Sequence, residues 1–286
     1  MKYRSDRVFN VINYSLMIFL AAIMLYPLWY VLMYSLSEPQ RYSVNNYYLI
    51  PNGFNLSTYK YIIVQPLIIR GFKNSVFVTV MGTFISLLLT SFTAYPLSRE
   101  VFVGKKFFFN MIIFTMLFSG GIIPTYLVVR ALGLLDSLWA LILPSSISVF
   151  NMLVMMKFFK NIPVSLIESA KIDGYNDIYI LFKIVLPLSK AVLASIGLFS
   201  AVGYWNTYLP CLIYITDVNK RVMQVILRGM LQAESLAAQT GAVDQIITPQ
   251  NMKMAVIIVT MLPIICVYPF LQKHFVKGML IGSIKG

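Results

Sequence analysis

Charge is what this sequence has least of. Only 12% of its 286 residues are Asp, Glu, Lys or Arg, ten of them are acidic, and there is one histidine and two cysteines. The cysteines, Cys211 and Cys266, both fall inside apolar runs, so disulfide stapling has no evident part and neither redox compartment nor metal binding can be read from them. No G-x-x-x-x-G-K-[ST] run occurs, so the chain has no phosphate-cradling loop of its own. No nucleophile triad, metal-ligand cluster or carboxylate pair is legible, which leaves catalytic and metal readings without residues. The lone histidine, His274, stands at the end of the last apolar run, where an interface anchor is the plainer role than a proton shuttle. The formal charge of +13 is scattered among apolar segments and reads as a membrane surface, with no nucleic-acid partner.

What is present is apolar surface. Residues of hydrophobic type make up 59% of the chain, more than the roughly half that fills a soluble core. Six stretches carry no charge at all: Val11–Leu36, Ser75–Ser98, 107–129, Ser137–Met156, Ala191–Thr216 and Met254–Gln272. A bilayer core of about 30 Å takes roughly 20 helical residues, so each is a spanning candidate. The fold class expected is an all-α polytopic membrane protein, 1–286 forming a single transmembrane domain. The first run follows Lys2, Arg4 and Arg7 but is too long for a signal segment and no small-residue cleavage site follows, so an uncleaved helix is expected.

Fourteen of the 23 basic residues fall in 1–10, 97–106, 157–190 and 273–286. Lys and Arg concentrate in short cytoplasmic loops, so both termini and segment 157–190 are expected on the cytoplasmic side. No ionisable residue lies deep in a span, which weighs against an ion-coupled carrier. Prolines 27, 96, 124, 144, 210, 263 and 269 mark the runs, and the Ser119–Pro124 stretch SGGIIP weakens its helix further. These are kinks that a bundle can satisfy, with moving hinges and static packing both open. The fifth run holds Gly203-Tyr204-Trp205-Asn206-Thr207-Tyr208-Leu209-Pro210. Aromatic rings stack on sugar faces and amides bond hydroxyls, so Tyr204, Trp205, Asn206 and Tyr208, with Asn151 in the fourth run, are candidates for a substrate path. Helix packing by the same residues is the competing reading.

Segment 157–190 is the polar exception. Pro163 suits the first turn of a short helix to Ile172, with Leu166, Ala170 and Ile167 on one side. Asp173-Gly174 is a turn and C-cap signal. Asn176 or Asp177 caps a second helix, Ile178–Val185, which Pro187 ends. Two helices this short need something to pack on.

The spacing Glu168-Ser169-Ala170, three residues, Gly174, nine residues, Ile184, one residue, Leu186-Pro187 resembles the EAA loop of permease subunits of binding-protein-dependent ABC importers. Ser169 and Tyr175 depart from the usual residues there. Asn74-Ser75, Ala94–Arg99, Leu132–Asp136, Gly203–Pro210 and the tail Lys273–Gly286 are similar to the carbohydrate branch, most nearly the second permease of maltose-type and complex-polysaccharide systems. The resemblance implies the type I ABC importer permease fold with six transmembrane helices, in a bacterial inner membrane. It also implies a second, different permease, two cytoplasmic ATPase subunits that carry the ATP and Mg, an extracytoplasmic solute-binding protein and an oligosaccharide substrate. By the same resemblance Glu168, Ser169, Ala170, Asp173, Gly174, Ile184 and Pro187 form the ATPase-coupling contact, and the C-terminal tail also reaches the ATPases. This chain itself is then no enzyme and holds no cofactor. Amino acids or peptides are the runner-up substrates, and a stand-alone carrier is the competing class.

Overall fold

The computed structural model describes residues 2–38, 47–240 and 252–267. They form α1 (Lys2–Ser35), α2 (Ser57–Val64), α3 (Pro66–Ser98), α4 (Lys105–Leu117), α5 (Ile122–Ala131), α6 (Trp139–Ser145), α7 (Val149–Lys160), α8 (Val164–Ile172), α9 (Asp177–Leu188), α10 (Lys190–Trp205), α11 (Leu209–Tyr214), α12 (Met223–Thr240) and α13 (Met252–Val267). Among the described residues the one β feature is an isolated antiparallel bridge between Ser37 and Phe54.

The six charge-free runs are all helical, but their breaks differ from the expected boundaries. Helix α3 starts nine residues before Ser75 and is 33 residues long, about 50 Å at 1.5 Å per residue. Arg70 and Lys73 therefore lie within the helix and do not mark where it begins. It also runs through Pro96, and α1 runs through Pro27, so neither proline interrupts its helix. The third run is broken: α4 and α5 meet at 116° across Phe118–Gly121. Gly121 has φ +85°, a conformation glycine adopts without steric cost, and Thr125 Oγ1 donates to its carbonyl at 2.8 Å. The fourth run bends by 54° between α6 and α7, where Ser148 Oγ caps α7 by accepting the Asn151 N–H. The fifth run stops at Trp205 and restarts at Leu209, because Pro210 suits only the first turn of α11. Of the sixth, Met252–Val267 is helical, and residues 268–272 lie outside the described residues. So do His274 and the tail Lys273–Gly286.

The chain divides into two compact units. One joins the residues up to Ile69 with Leu227–Leu262. Its α1 buries little of its apolar surface, leaving Ile18 and Met24 exposed, as a helix facing lipid or another subunit does. Its packed part is aromatic: Tyr34 meets Tyr48 edge-on at 4.7 Å between ring centres, with Tyr30 and Met254 against them.

The other unit joins Arg70–Ile226 with the segment from Pro263. It has two apolar cores. The first packs Ala94, Tyr95 and Leu97 of α3 with Met152, Met155 and Phe159 of α7, Val192 and Ile196 of α10, and residues of α8 and α9. The second gathers Val78, Val129, Leu141, Ile142, Tyr204, Cys211 and Tyr214.

Candidate functional site

Helices α8 and α9 are built as a hairpin with one face in the core. Ile167 and Ala170 of α8 and Ile180, Leu181 and Val185 of α9 are buried in the first core. Leu166, expected beside Ala170, is exposed instead. It stands one residue, about 100°, from Ile167. Helix α8 closes in a Schellman turn: the Tyr175 N–H donates to the Ala170 carbonyl and the Gly174 N–H to the Lys171 carbonyl, both at 3.0 Å. Gly174 supplies the left-handed residue at φ +84°, and nothing lies within 4 Å of where a Cβ would stand. Asn176 Oδ1 then caps α9 by accepting the Tyr179 N–H at 2.8 Å. Asp177, the other candidate cap, pairs with Lys171 at 3.1 Å and staples the helices together.

Helix α9 runs to Leu188, past the expected end at Val185. A wide π turn over Leu181–Val185, with the Leu186 N–H donating to the Leu181 carbonyl, leads directly into Pro187, which has no N–H to place. The chain then turns by 87° into α10. Glu168, Ser169, Asp173, Gly174 and Pro187 are exposed and Ile184 is half-buried. Ile172 at the tip is 85% exposed, and Tyr175 stacks on Tyr179 at 4.3 Å. The hairpin thus shows apolar and acidic side chains outward while its inner face is continuous with three long helices.

A cavity of about 770 Å³ lies in the same unit. Asn151, Tyr204, Asn206 and Tyr208 line it, together with Ser86, Ser145, Ser148, Ser200 and Thr207, between the rings of Phe150 and Phe199. Among the described residues no charged one lines it. Trp205 is not brought to it. On α10, Ser200, Gly203 and Tyr204 share the cavity face, whereas Trp205 lies with Leu198, Ala201 and Val202 around a separate apolar void of about 70 Å³. The Trp205 ring packs edge-on against Phe72 at 5.8 Å. Tyr204 has a packing duty besides: its hydroxyl donates to the buried Ile142 carbonyl at 3.1 Å. The α10–α11 break opens backbone toward the cavity, and Asn206 Nδ2 covers the Val202 carbonyl at 2.9 Å. Irregular backbone at membrane depth is tolerated where it lines such a cavity. The hydroxyls of Ser86 and Ser200, 3.2 Å apart, were invisible in sequence because single serines in a span carry no periodic signal.

Beyond the cavity the chain is clasped. Asp136, at φ +55°, accepts the Thr216 hydroxyl at 2.5 Å and the N–H groups of Thr216 and Asp217 at 2.6 and 2.9 Å. The Thr216 hydroxyl bond first, then the two N–H bonds and the nearby Lys220, hold its carboxyl below the usual carboxylate range. Lys220 Nζ donates to the Asp136 carbonyl at 2.8 Å. Asn74 Nδ2 donates to the carbonyls of Asn219 and Arg221, both at 3.0 Å, and Arg70 bonds Asn219. The partners of Asp136 lie 80 residues on and leave no local signal in the sequence.

Comparison with known proteins gives the family. Residues 6–281 match the model of the binding-protein-dependent transport system inner membrane component family. The polygalacturonan/rhamnogalacturonan transport system permease protein YtcP of Bacillus subtilis (strain 168) is 46% identical, over 98% of this chain and 99% of that protein. Protein LplC of the same organism is 45% identical over 99% and 97%. A diacetylchitobiose uptake system permease protein, NgcG, of Streptomyces coelicolor (strain ATCC BAA-471 / A3(2) / M145) is 26% identical over 98% and 91%. A solved chain from a bacterial ABC transporter involved in the import of the acidic polysaccharide alginate superposes with a TM-score of 0.86 at 32% identity, covering 95% of this chain and 98% of its own. With residues 6–281 matched by the family model and 95% of the chain by the solved fold, the chain belongs to the binding-protein-dependent transport system inner membrane component family and has the fold of an ABC importer permease.

Proposed function

We propose that the chain is one transmembrane permease subunit of an ATP-driven importer for an oligosaccharide. A second, different permease completes the path, an extracytoplasmic solute-binding protein delivers the sugar, and two cytoplasmic ATPase subunits carry ATP and Mg. The chain lies in the bacterial cell membrane with both termini and the α8–α9 hairpin in the cytoplasm. It is not the enzyme of the assembly.

One observation carries this reading: a single core runs from the hairpin (Ile167, Ala170, Ile180) to the helices α3, α7 and α10. Two of these, α7 and α10, and Ser86 of α3 also line the 770 Å³ cavity. Close-packed interiors transmit displacement, so a push on Ile172, Glu168 or Gly174 by an ATPase moves the cavity walls. Glu168, Ser169, Ala170, Asp173 and Gly174 form the coupling element, Ala170 by allowing close packing and the others by contact. Ile184 and Pro187 fix its angle to α10. The relatives named for carbohydrate transport support a sugar substrate, and so does a lining of hydroxyls, amides and aromatic rings. Asn151, Tyr204, Asn206 and Tyr208 are the path residues, Tyr204 with a packing duty besides; Trp205 acts through packing.

The test is to purify the chain with its co-isolating partners, reconstitute it in liposomes and measure ATPase activity with a panel of oligosaccharides. Stimulation by particular sugars, only with the binding protein present, is expected. Uptake by the isolated chain without nucleotide would assign it to stand-alone carriers instead.

A further inference from the structure

A second cavity, about 530 Å³, lies between the hairpin and the end of α3 nearest to it. Its polar lining is Arg99, Lys171, Asp177 and the Tyr95 ring, and its remaining walls are apolar, including Phe92, Phe102 and Ile178. The charges do not balance. Lys171 and Asp177 neutralise each other at 3.1 Å, and the Tyr95 hydroxyl also donates to Asp177, at 3.4 Å. Arg99 is left over. Its guanidinium lies over the Tyr95 ring, 4.9 Å from the centroid, and its Nε and Nη2 are buried with no hydrogen-bond partner among the described residues. A buried, unpartnered guanidinium edge is costly and is shaped for two oxygens of one anion. Beside it Val101 and Val103 are 91% and 90% exposed, apolar side chains at the end of a spanning helix, where headgroups meet acyl chains.

We propose that this cavity binds an anionic phospholipid from the leaflet on the hairpin side, its phosphodiester on the Arg99 edge and an acyl chain along the Phe92–Phe102 wall. Basic pockets at this depth suit such headgroups. A phosphodiester carries the one negative charge the lining lacks. Phosphatidylethanolamine would bring its own ammonium to a site that already holds two cations. A carboxylate from a docked protein would satisfy the guanidinium but leave the apolar wall uncovered. The lipid so held bridges α3 to the coupling hairpin and props the latter at its observed angle.

The test uses the assembled importer in mild detergent after equilibration with mixed phosphatidylglycerol and phosphatidylethanolamine, with retained lipid counted by mass spectrometry. The wild type should retain phosphatidylglycerol preferentially. Arg99→Gln should retain about tenfold less, the loss of roughly one charge-assisted contact. Arg99→Lys should recover part of it, and Arg130→Gln, far along the chain on α5, should change nothing. If Arg99→Gln does not assemble, Lys171→Gln is read instead: it leaves Asp177 uncompensated and should lower retention several-fold. Equal retention by wild type and these variants overturns the proposal, as does equal retention of the two lipids. Displacement by millimolar glycerol phosphate alone would make the ligand a soluble phosphate. Retention by the permeases alone but not with the ATPases bound would assign the pocket to the ATPase. Either result overturns the lipid.

Discussion

Gly82 offers a sharp test of how the cavity wall is held. A Cβ built there would stand 2.7 Å from Cε2 and Cζ of the Tyr204 ring and 2.8 Å from Cδ2, so Gly82→Ala forces the ring back by roughly 1 Å to reach ordinary contact. Tyr204 can yield only toward the cavity it lines, which takes its ring out of the second core and its hydroxyl off the Ile142 carbonyl. Overpacking costs about 1–3 kcal/mol, and stranding that carbonyl costs about 1–3 kcal/mol more. Alanine in place of glycine within a helix returns about 1 kcal/mol. The net expectation is a destabilisation of about 3 kcal/mol, read as a lower thermal midpoint of the detergent-solubilised protein. The companion variant Tyr204→Leu removes the ring, and in that background Gly82→Ala should be neutral or mildly stabilising. A Gly82→Ala single variant that melts at or above the wild type would refute the close-approach argument.

Further outcomes follow from the hairpin and the clasp. Asn176→Ala removes the α9 cap and should cost about 1 kcal/mol, seen as faster amide exchange at Tyr179. Gly174→Ala meets no neighbour, so only the left-handed backbone penalty of about 1 kcal/mol applies; Gly174→Asn should be milder, and equal melting losses would contradict a backbone cause. Asp136→Asn keeps a residue tolerant of φ +55° but loses the charge that the Thr216 and Asp217 donors favour, so those amides should exchange faster. Because the Asp136 pKa is depressed in the folded chain, the clasp's contribution is present at neutral pH. It is lost as pH falls below the ordinary carboxylate range through the lower folded value. Asp136→Asn should be insensitive to that acidification, and an equal acid response in both proteins would remove Asp136 from the account.

Much of this architecture was legible in the sequence because its signals are local. Six charge-free runs reported the helices, and the Gly174 turn and the Asn176 cap needed only four or five neighbouring residues to be read. What escaped depends on rotation or distance. Tyr204 and Trp205 are adjacent in sequence but about 100° apart on α10, which sends one ring to the cavity and the other to Phe72. The same rotation left Leu166 outside while Ile167 and Ala170, expected on one side with it, went into the core. Charge bounded the apolar run of α3 but not its backbone, since the helix runs on through Arg70 and Lys73. The Asp136 clasp and the Ser86–Ser200 pair join residues 80 and 114 positions apart, and one sequence holds no record of such pairing.

If the α8–α9 hairpin converts ATPase movement into movement of the cavity walls, as proposed, Gly174→Asp should break that link in the complete importer reconstituted with its binding protein. Among the described residues nothing lies within 4 Å of where the new Cβ would stand, so a defect beyond a small loss of stability points to the partner. The account predicts an assembled complex that still hydrolyses ATP while sugar import falls about tenfold or more, the loss of roughly one coupling contact. Import at the wild-type rate would contradict it.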